Sequence, residues 1–151
     1  MHYVKPNQKV SQKVRSIHFQ KVKEQSKKMI ALCRKPRGKY AYAYALAHCQ
    51  VESEKPLRFF VIREGLTIIN PVMVNHTKVP VNSVEACMSF PDKKPITVKR
   101  FNKCTVEYTV LGHSVISGLQ SQNFSGANAK IVQHMIDLLD GKTIYDEVPE
   151  E

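Results

Sequence analysis

Apolar residues recur at helical spacing in two stretches of the chain. From Ser16 they fall three or four positions apart, which predicts a helix with one apolar face that ends before Pro36. That face consists of Phe19, Val22, Met29, Ile30 and Cys33. A second helix is predicted to run from an N-cap at Ser125 to about Leu139, with Gly141 as its C-terminal stop. Apolar residues cover most of its circumference, so we expect this helix to be buried.

Apolar runs typical of β-strands lie between the two helices. Residues 57–63 form one run, and residues 67–74 form another that is interrupted by Asn70-Pro71. Residues 96–101 and 105–111 flank a short connection, and the second of them alternates apolar with polar side chains, which predicts a hairpin. Together these elements predict an α+β domain. In it, antiparallel or mixed strands surround a central buried C-terminal helix, and a basic helix lies at the N-terminal side.

Length and composition favour a single domain in a reducing compartment. The chain has 151 residues, of which 42% are hydrophobic, enough for one core. We expect a basic flexible arm over residues 1–15, one domain over residues 16–147 and an acidic tail over residues 148–151. No apolar run is long enough to span a membrane, and no secretory signal is recognisable. The four cysteines fit no zinc or disulfide pattern, which favours the cytoplasm, an organelle matrix or a phage-infected cell.

Positive charge is concentrated near the N-terminus. The first 40 residues hold twelve basic side chains and one acidic one, whereas the remaining 111 residues hold eleven basic and twelve acidic ones. A basic segment of this kind attracts polyanions, so we predict that it binds a ribosome or another RNA or nucleic acid. The alternative is a solvated face that only keeps the protein soluble. The residues predicted to contact such a partner are Lys9, Lys13, Arg15, Lys21, Lys27, Lys28, Arg34, Lys35 and Arg37.

Three short segments carry candidate chemistry. They read AYALAHCQ over residues 43–50, EACMS over residues 85–89 and QHMIDL over residues 133–138. In this order they resemble the GxGLAAxQ, EGCLS and QHExDH motifs of the peptide deformylase family. The tripeptide INP at residues 69–71 resembles a further feature of that family, and the resemblance extends over about residues 16–147. It implies the deformylase fold for the whole domain.

The resemblance implies the chemistry of a metal-dependent hydrolase. Deformylases remove the formyl group from the N-terminal methionine of new proteins, with a divalent ion held by the Cys of the second motif and two His of the third. Two His four residues apart on a helix reach one ion because their side chains lie on the same face. The Glu of the third motif acts as general acid and base, and the Gln of the first motif stabilises the developing oxyanion.

This chain has only part of that machinery. Cys87 and His134 match two of the metal ligands, and Gln50 matches the oxyanion Gln. Leu138 stands in place of the second His, and Met135 stands in place of the catalytic Glu. Leucine has no atom that binds a metal, and a thioether takes up no proton near neutral pH. The resemblance therefore implies a divergent member with a remnant metal site, for which we predict no cofactor, with zinc or iron as the alternative.

Zinc or iron could bind here only if another residue supplied the missing third ligand. His48 is the first candidate, because its segment borders the same cleft in the resembled family; His76 and His113 are further candidates. Cys thiolate and His imidazole are both ligands that zinc accepts, so Cys87, His134 and His48 could still hold it. The competing expectation is that Cys87 and His134 are packed remnants of the former site.

Three functions are open at this point. The first is a catalytically inactive, deformylase-like binding protein associated with the ribosome or with nucleic acid. The second is a metal-dependent peptide deformylase with altered ligands. The third is a structural subunit of a larger assembly, such as a divergent ribosome or a phage particle. The cleft that corresponds to the peptide site of the resembled family is expected to contain Leu46, Met88, Met135 and Leu138.

Overall fold

The computed structural model describes residues 1–112 and 118–146. In these ranges helix α1 (Phe19–Cys33) follows a 3-10 turn at Ser16–His18, and helix α2 (Gly126–Leu139) follows the last strand. A second 3-10 turn covers His48–Gln50. The strands are β1 (Ala45–Ala47), β2 (Phe59–Ile62), β3 (Leu66–His76), β4 (Val81–Glu85), β5 (Ile96–Arg100), β6 (Lys103–Thr109) and β7 (Gln120–Ser125).

These strands form two antiparallel sheets. The larger sheet has five strands in the order β1-β2-β3-β6-β7, and the smaller sheet pairs β4 with β5. Every pair of neighbouring strands is antiparallel. The predicted α+β class is therefore confirmed, and the second motif lies at the end of β4 and the start of the loop that leads to β5.

The large sheet separates two hydrophobic cores, which we call the α1 core and the α2 core after the helix that closes each. Successive side chains of a strand point to opposite faces. On β1, Ala45 and Ala47 therefore join the α2 core while Leu46 joins the α1 core. On β2, Phe60 joins the α2 core and Phe59 joins the α1 core. The apolar face predicted for α1 is buried or half-buried, and its basic side chains lie mainly on the outside.

The C-terminal helix is buried, as its sequence predicts. Eight of its residues are buried, which leaves little of its surface in contact with solvent. Ser125 occupies the N-cap position, although its side chain forms no capping hydrogen bond. After the helix, Gly141 has a φ of +83°, a left-handed conformation that glycine adopts without steric cost. A Cβ at this position would lie 2.7 Å from the carbonyl oxygen of Gln8, so the N-terminal segment packs directly on the turn.

The hairpin predicted from residues 96–101 and 105–111 is wrong. Strand β5 pairs with β4, whereas β6 lies between β3 and β7 in the large sheet. Val106 and Tyr108 alternate with polar residues because they enter the α2 core, not because they face β5. Between β5 and β6 the chain crosses from one sheet to the other. Gln133 of the third motif holds this crossing, accepting from the Phe101 N–H at 2.9 Å and donating to the Phe101 carbonyl at 2.7 Å.

The interruption predicted at Asn70-Pro71 is a bulge, because β3 continues through it with a shift in register. Asn70 has a φ of +52°, which asparagine tolerates better than most residues. Its side chain pairs with the backbone of Val14: the amide oxygen accepts from the N–H at 2.8 Å, and the amide nitrogen donates to the carbonyl at 2.9 Å. The INP tripeptide thus attaches the N-terminal segment to the sheet.

Asn70→Ala is expected to lower the free energy of unfolding by about 2–4 kcal/mol. The variant loses two hydrogen bonds of about 1 kcal/mol each and places alanine in a left-handed conformation that costs about 1–2 kcal/mol. Asn70→Gly loses the same hydrogen bonds without that strain, so it should be the milder variant. Urea unfolding of the three proteins gives both differences. If the two variants are equally stable, the positive φ contributes nothing measurable.

The first 15 residues, for which a flexible arm is predicted, run along the body of the domain. The Ser11 N–H donates to the Leu139 carbonyl at 2.8 Å, Gln12 forms a parallel bridge with Leu57, and Val14 is buried. The domain boundaries stay predictions, and the predicted acidic tail at 148–151 lies outside the described residues. No helix within the described ranges is long and apolar enough to cross a membrane.

Candidate active site

The three motif segments meet at a cleft of about 380 Å³ beside α2. Its walls come from the segment that leads into β1, from the end of β4 with the loop after it, and from α2. The lining includes Tyr42, Tyr44, Met88, Ile131 and Met135 on its apolar side, and Gln50, Glu85 and His134 among its polar groups. An apolar cleft with a few convergent polar groups is the usual form of a ligand site.

The 3-10 turn after β1 brings Gln50 to the cleft. Its amide oxygen accepts from the Ala47 N–H at 2.9 Å, which fixes the orientation of the amide group. The amide nitrogen donates to the Ser89 hydroxyl at 3.0 Å and lies 3.8 Å from the sulfur of Cys87. Gln50 therefore presents its N–H group at the Cys87 side of the cleft, where an oxyanion donor would be placed.

A largely buried ion-pair network fixes the ring of His134. Arg100 donates to both oxygens of Glu85, at 2.8 and 2.9 Å, and also to Asp137. Glu85 accepts from the Ser83 hydroxyl at 2.7 Å and contacts Nδ1 of His134 at 2.9 Å. Burial raises the pKa of Glu85, but the hydrogen bonds from His134, Arg100 and Ser83 outweigh burial and bring that pKa to about 2. Because an ionised carboxylate only accepts hydrogen bonds, Nδ1 of His134 carries a proton.

Cys87 interacts with the same imidazole. Its side chain is 1% exposed, and burial raises its pKa, but the hydrogen bond and charge interaction with His134 lower that pKa below the ordinary thiol value. For His134, burial lowers the pKa, and the contacts with Cys87 and Glu85 raise it to about 9. The thiol and the imidazole therefore favour each other's charged forms, with the Glu85 carboxylate holding the ring from the other side.

These residues do not fit a metal site with three protein ligands. Leu138, one helical turn after His134, is 2% exposed, packs in the α2 core and has no donor atom. Met135 lines the cleft where the resemblance places the catalytic Glu. Within residues 1–112 and 118–146, no three His, Cys, Asp or Glu side chains are grouped closely enough to hold a metal ion. The donor set that remains is the pair Cys87 and His134.

Neither of the two alternative histidines that the structure describes lies beside Cys87 and His134. His48 is fully buried and stacks on Phe59 of the α1 core, with 4.7 Å between ring centroids. Its Nδ1 accepts a backbone N–H at 2.9 Å, and burial lowers its pKa to about 4, so it is a neutral structural group. His76 stacks on Phe101 at 3.7 Å, in the region between β3 and β6. His113 lies outside the described residues.

Of the four residues predicted for the cleft, Met88 and Met135 line it. Leu46 is buried in the α1 core instead, because neighbouring side chains of β1 face opposite sides of the sheet. Leu138 lies in the α2 core.

The roles of Glu85, Ser89 and Arg100 were not predicted from the sequence. Glu85 belongs to the second motif, and an acid two positions before a candidate ligand could have indicated a partner for His134. Ser89 closes the same motif and receives the Gln50 hydrogen bond. Arg100 stands 15 positions after Glu85, and only the pairing of β4 with β5 brings the two together.

Most of the side chains predicted to bind a polyanion are exposed. These are Lys9, Lys13, Arg15, Lys21, Lys27, Lys28, Arg34 and Lys35. In the part of the chain that the structure describes, none of them pairs with a carboxylate. Arg37 differs, because its Nε donates to the Met88 carbonyl and its guanidinium lies 4.0 Å from the centre of the Tyr3 ring. Arg37 thus connects the second motif to the N-terminal segment.

The sequence was compared with those of known proteins and protein families. The family model for polypeptide deformylase matches residues 5–151. Peptide deformylase 2 of Nostoc sp. (strain PCC 7120) is 35% identical over 85 residues, which are 56% of this chain and 45% of that protein. The peptide deformylase of Orientia tsutsugamushi (strain Boryong) is 31% identical over 81 residues, which are 54% of this chain and 42% of that protein. The matched segment thus spans less than half the length of these curated relatives.

Solved structures of deformylases share the fold. The deformylase from the Vibrio parahaemolyticus bacteriophage VP16T, in complex with actinonin, has a TM-score of 0.77 at 29% identity, with 95% of this chain and 100% of that chain covered. The peptide deformylase of Thermotoga maritima has a TM-score of 0.80 at 22% identity, with 99% of each chain covered. Because the family model covers nearly the whole sequence, this chain belongs to the polypeptide deformylase family.

Proposed function

We propose that this family member binds a peptide N-terminus in its cleft and does not deformylate it. The observation that carries the proposal is the pair of apolar side chains, Met135 and Leu138, on α2 where the family motif has Glu and His. Leu138 is part of the α2 core, and the described residues contain no group of three His, Cys, Asp or Glu side chains that could hold a metal ion.

Two separate losses stand between this site and metal-dependent hydrolysis. A positioned general acid or base contributes about 10²–10⁴ in rate, and Met135 supplies none. Removing a residue that only orients a metal ligand already costs about 10–100-fold in affinity or activity, and removing a ligand costs more. Catalytic zinc sites use three protein ligands and keep the fourth position for water. With two ligands and no base, the site has no means of activating that water.

The remaining cleft supports binding. Its apolar wall suits one apolar side chain, and Gln50 offers an N–H to a carbonyl oxygen placed near Cys87. The Glu85 carboxylate is already neutralised by Arg100 and His134, so a ligand entering the cleft meets no free negative charge at that point. A neutral formylated or acylated N-terminus is therefore the chemistry that the cleft fits.

Binding without deformylation is tested with a formyl-methionyl tripeptide. Titration calorimetry is expected to show saturable binding, and the peptide recovered after overnight incubation should still carry its formyl group by mass spectrometry. Ala45→Leu, which projects a larger side chain into the cleft, should weaken binding, whereas Val72→Ala on an exposed part of β3 should not. Recovery of a deformylated peptide, or no binding by the parent chain, would refute the proposal.

A metal-dependent deformylase with altered ligands is the second candidate function. Membership of the family by itself supports it, and so does the meeting of Gln50, Cys87 and His134 at one place. It requires a third ligand from a water, from a conformational change or from residues outside the described ranges. Zinc or iron at one ion per chain, together with formate release, would establish it.

The exposed basic side chains of α1 and the N-terminal segment support docking on ribosomal or other RNA. Binding of this kind is made mainly to phosphates and weakens as salt rises, because counterions are released. A triple variant that carries Lys21→Gln, Lys27→Gln and Lys28→Gln tests this. The slope of log affinity against log salt concentration should become less steep by about 0.7–0.9 for each phosphate that the protein no longer neutralises. Filter binding or co-sedimentation with ribosomes measures that slope.

The matched control changes the same number of charges elsewhere. Lys55, Lys78 and Lys142 are exposed and lie outside the first 40 residues, so their replacement by Gln should leave the slope unchanged. Equal slopes for the two triple variants would mean that only net charge matters. If the parent chain binds neither RNA nor peptide, the remaining function is that of a structural subunit of a larger assembly.

A further inference from the structure

Two exposed tyrosines stand on the segment that leads into β1. Ala43 and Ala45 are buried, so the tyrosines that alternate with them, Tyr42 and Tyr44, point outward. Their side chains are 39% and 55% exposed, although both also line one edge of the cleft. Aromatic side chains are enriched where proteins bind partners, so the pair marks a binding surface.

The two rings are held in a fixed arrangement. Their centroids lie 5.2 Å apart with the planes at 88°, and the Tyr42 hydroxyl donates to that of Tyr44 at 3.3 Å. The Arg63 guanidinium lies 4.0 Å from the centre of the Tyr42 ring and 5.6 Å from that of Tyr44. The Arg63 N–H also donates to the Tyr44 carbonyl at 3.0 Å. A ligand therefore meets a preformed group of planar side chains and does not have to order them.

Positive charge surrounds this group. The segment over residues 34–44, which we call the α1–β1 loop, contains Arg34, Lys35, Arg37 and Lys39. The sequence has no acidic residue from position 25 to position 51. Arg34 donates to the Arg63 carbonyl at 3.0 Å, which places a second guanidinium next to the group. Glu64 pairs with Arg63 at 3.2 Å and offsets one of these charges. The surface thus combines exposed rings with an excess of cations.

Single-stranded RNA has the chemistry that matches both features. Its backbone is a polyanion, and its unpaired bases stack on aromatic rings and on guanidinium planes. A duplex presents the same phosphates, but its bases are already stacked on one another. An acidic peptide matches the charge without offering a regular series of planar groups.

We propose that Tyr42, Tyr44 and Arg63 form a base-stacking site for single-stranded RNA, with basic side chains of the α1–β1 loop near its phosphates. The inference rests on the RNA docking proposed above and adds that the protein prefers single strands to duplexes. Arg34 directly follows α1, so the basic side chains of that helix lead along the chain to the stacking site.

The test measures the fluorescence anisotropy of a labelled 12-nucleotide RNA, as a single strand and as a duplex with its complement, at several salt concentrations. Phosphate contacts alone favour the duplex, because its charge density is higher. The parent chain is expected to bind the single strand more tightly. Tyr44→Leu should weaken that binding by about 5–150-fold, as expected for the loss of one stacked base. The salt slope should stay unchanged, because the substitution removes no charge.

Two controls accompany this variant. Tyr44→Phe keeps the ring and should bind the single strand as the parent chain does. Val79→Ala removes an apolar side chain that is 75% exposed elsewhere on the surface, and it should also bind as the parent does. All three substitutions are at exposed positions, and circular dichroism checks that the variants are folded.

The outcomes separate this inference from the proposed function. Tighter binding of the duplex by the parent chain, or unchanged single-strand binding by Tyr44→Leu, would overturn the stacking site and leave the phosphate contacts of α1 to be judged by their own salt slope. If Tyr44→Leu weakens only the binding of the formyl-methionyl peptide, the tyrosines belong to the peptide site and the inference fails. A parent chain that binds no RNA would remove both the stacking site and the RNA docking, with peptide binding unaffected.

Discussion

The double variant Met135→Glu, Leu138→His is expected to bind one divalent ion per chain, in contrast to the parent chain. The change restores a second imidazole one turn after His134 on the same helical face, so that both rings and the Cys87 thiolate can reach one ion. Cys87 and His134 are already adjacent, and Glu85 already orients the ring. Residues that only orient a metal ligand contribute up to ~100-fold to metal affinity. Because the double variant gains a direct ligand, its affinity for zinc should rise by more than that. Elemental analysis after dialysis against zinc or iron(II) gives the stoichiometry.

The matched control adds Cys87→Ser to the same double variant, which removes one ligand and should abolish stoichiometric metal. Leu138→His alone should bind metal without gaining deformylase activity, because Met135 still supplies no base. If the double variant is folded and binds no metal, Leu138 is not in the position of the second ligand, and the residue-by-residue match to the family motif is wrong there.

Arg100→Met is expected to lower the free energy of unfolding by about 3–5 kcal/mol, because it leaves the buried Glu85 carboxylate without its main partner. Arg100 and Glu85 are 7% and 10% exposed, so water cannot replace the missing hydrogen bonds. The control is Arg63→Met, which breaks the exposed pair with Glu64, at 28% and 65% exposure, and should cost less than about 1 kcal/mol. Guanidinium unfolding at pH 7 measures both. A decrease below about 1 kcal/mol for Arg100→Met would show that the network is not what holds Glu85.

The same network predicts a bell-shaped dependence of stability on pH. The pKa of Glu85 is depressed in the fold, so its contribution is present above its unfolded pKa of about 4.3 and is lost as pH falls through about 2. The pKa of His134 is raised, so its contribution is present below its unfolded pKa of about 6.5 and is lost as pH rises through about 9. In Arg100→Met the acid destabilisation should begin at higher pH, because Glu85 then protonates more easily.

The helices could be predicted from the sequence because their signals are local. The stripe of apolar residues on α1 and the nearly continuous apolar cover of α2 each lie within one window, and Gly141 ends α2 at the expected place. Strand β2 and the first half of β3 are buried on both faces because they lie between the two cores, so their apolar runs are recognisable as well.

The pairing of strands cannot be read in the same way. Strand β7 consists mostly of exposed polar residues, and the short strand β4 has no apolar run. The sequence pattern therefore pairs β5 with β6 and is wrong there. Contacts between residues far apart in the sequence keep these two strands apart. Strand β6 pairs with β3 and β7, and Gln133 binds the backbone of Phe101, where the chain passes from one sheet to the other. No local pattern contains that information.

The candidate site was only partly accessible from sequence. Motif positions identified Gln50, Cys87, His134, Met135 and Leu138, and the structure brings the first three together. The role of Arg100 depends on the pairing of β4 with β5, and the exclusion of His48 from the site depends on which face of the sheet its turn occupies.

Formate release from a formyl-methionyl peptide, measured under anaerobic conditions with iron(II), nickel(II) or zinc and with metal content determined on the same sample, tests the central claim most directly. Because Met135 and Leu138 replace the base and a ligand, we expect fewer than one tightly held ion per chain and no formate above the protein-free control. Multiple turnovers by the parent chain with one ion per chain would contradict the account and establish a deformylase that uses a different ligand set.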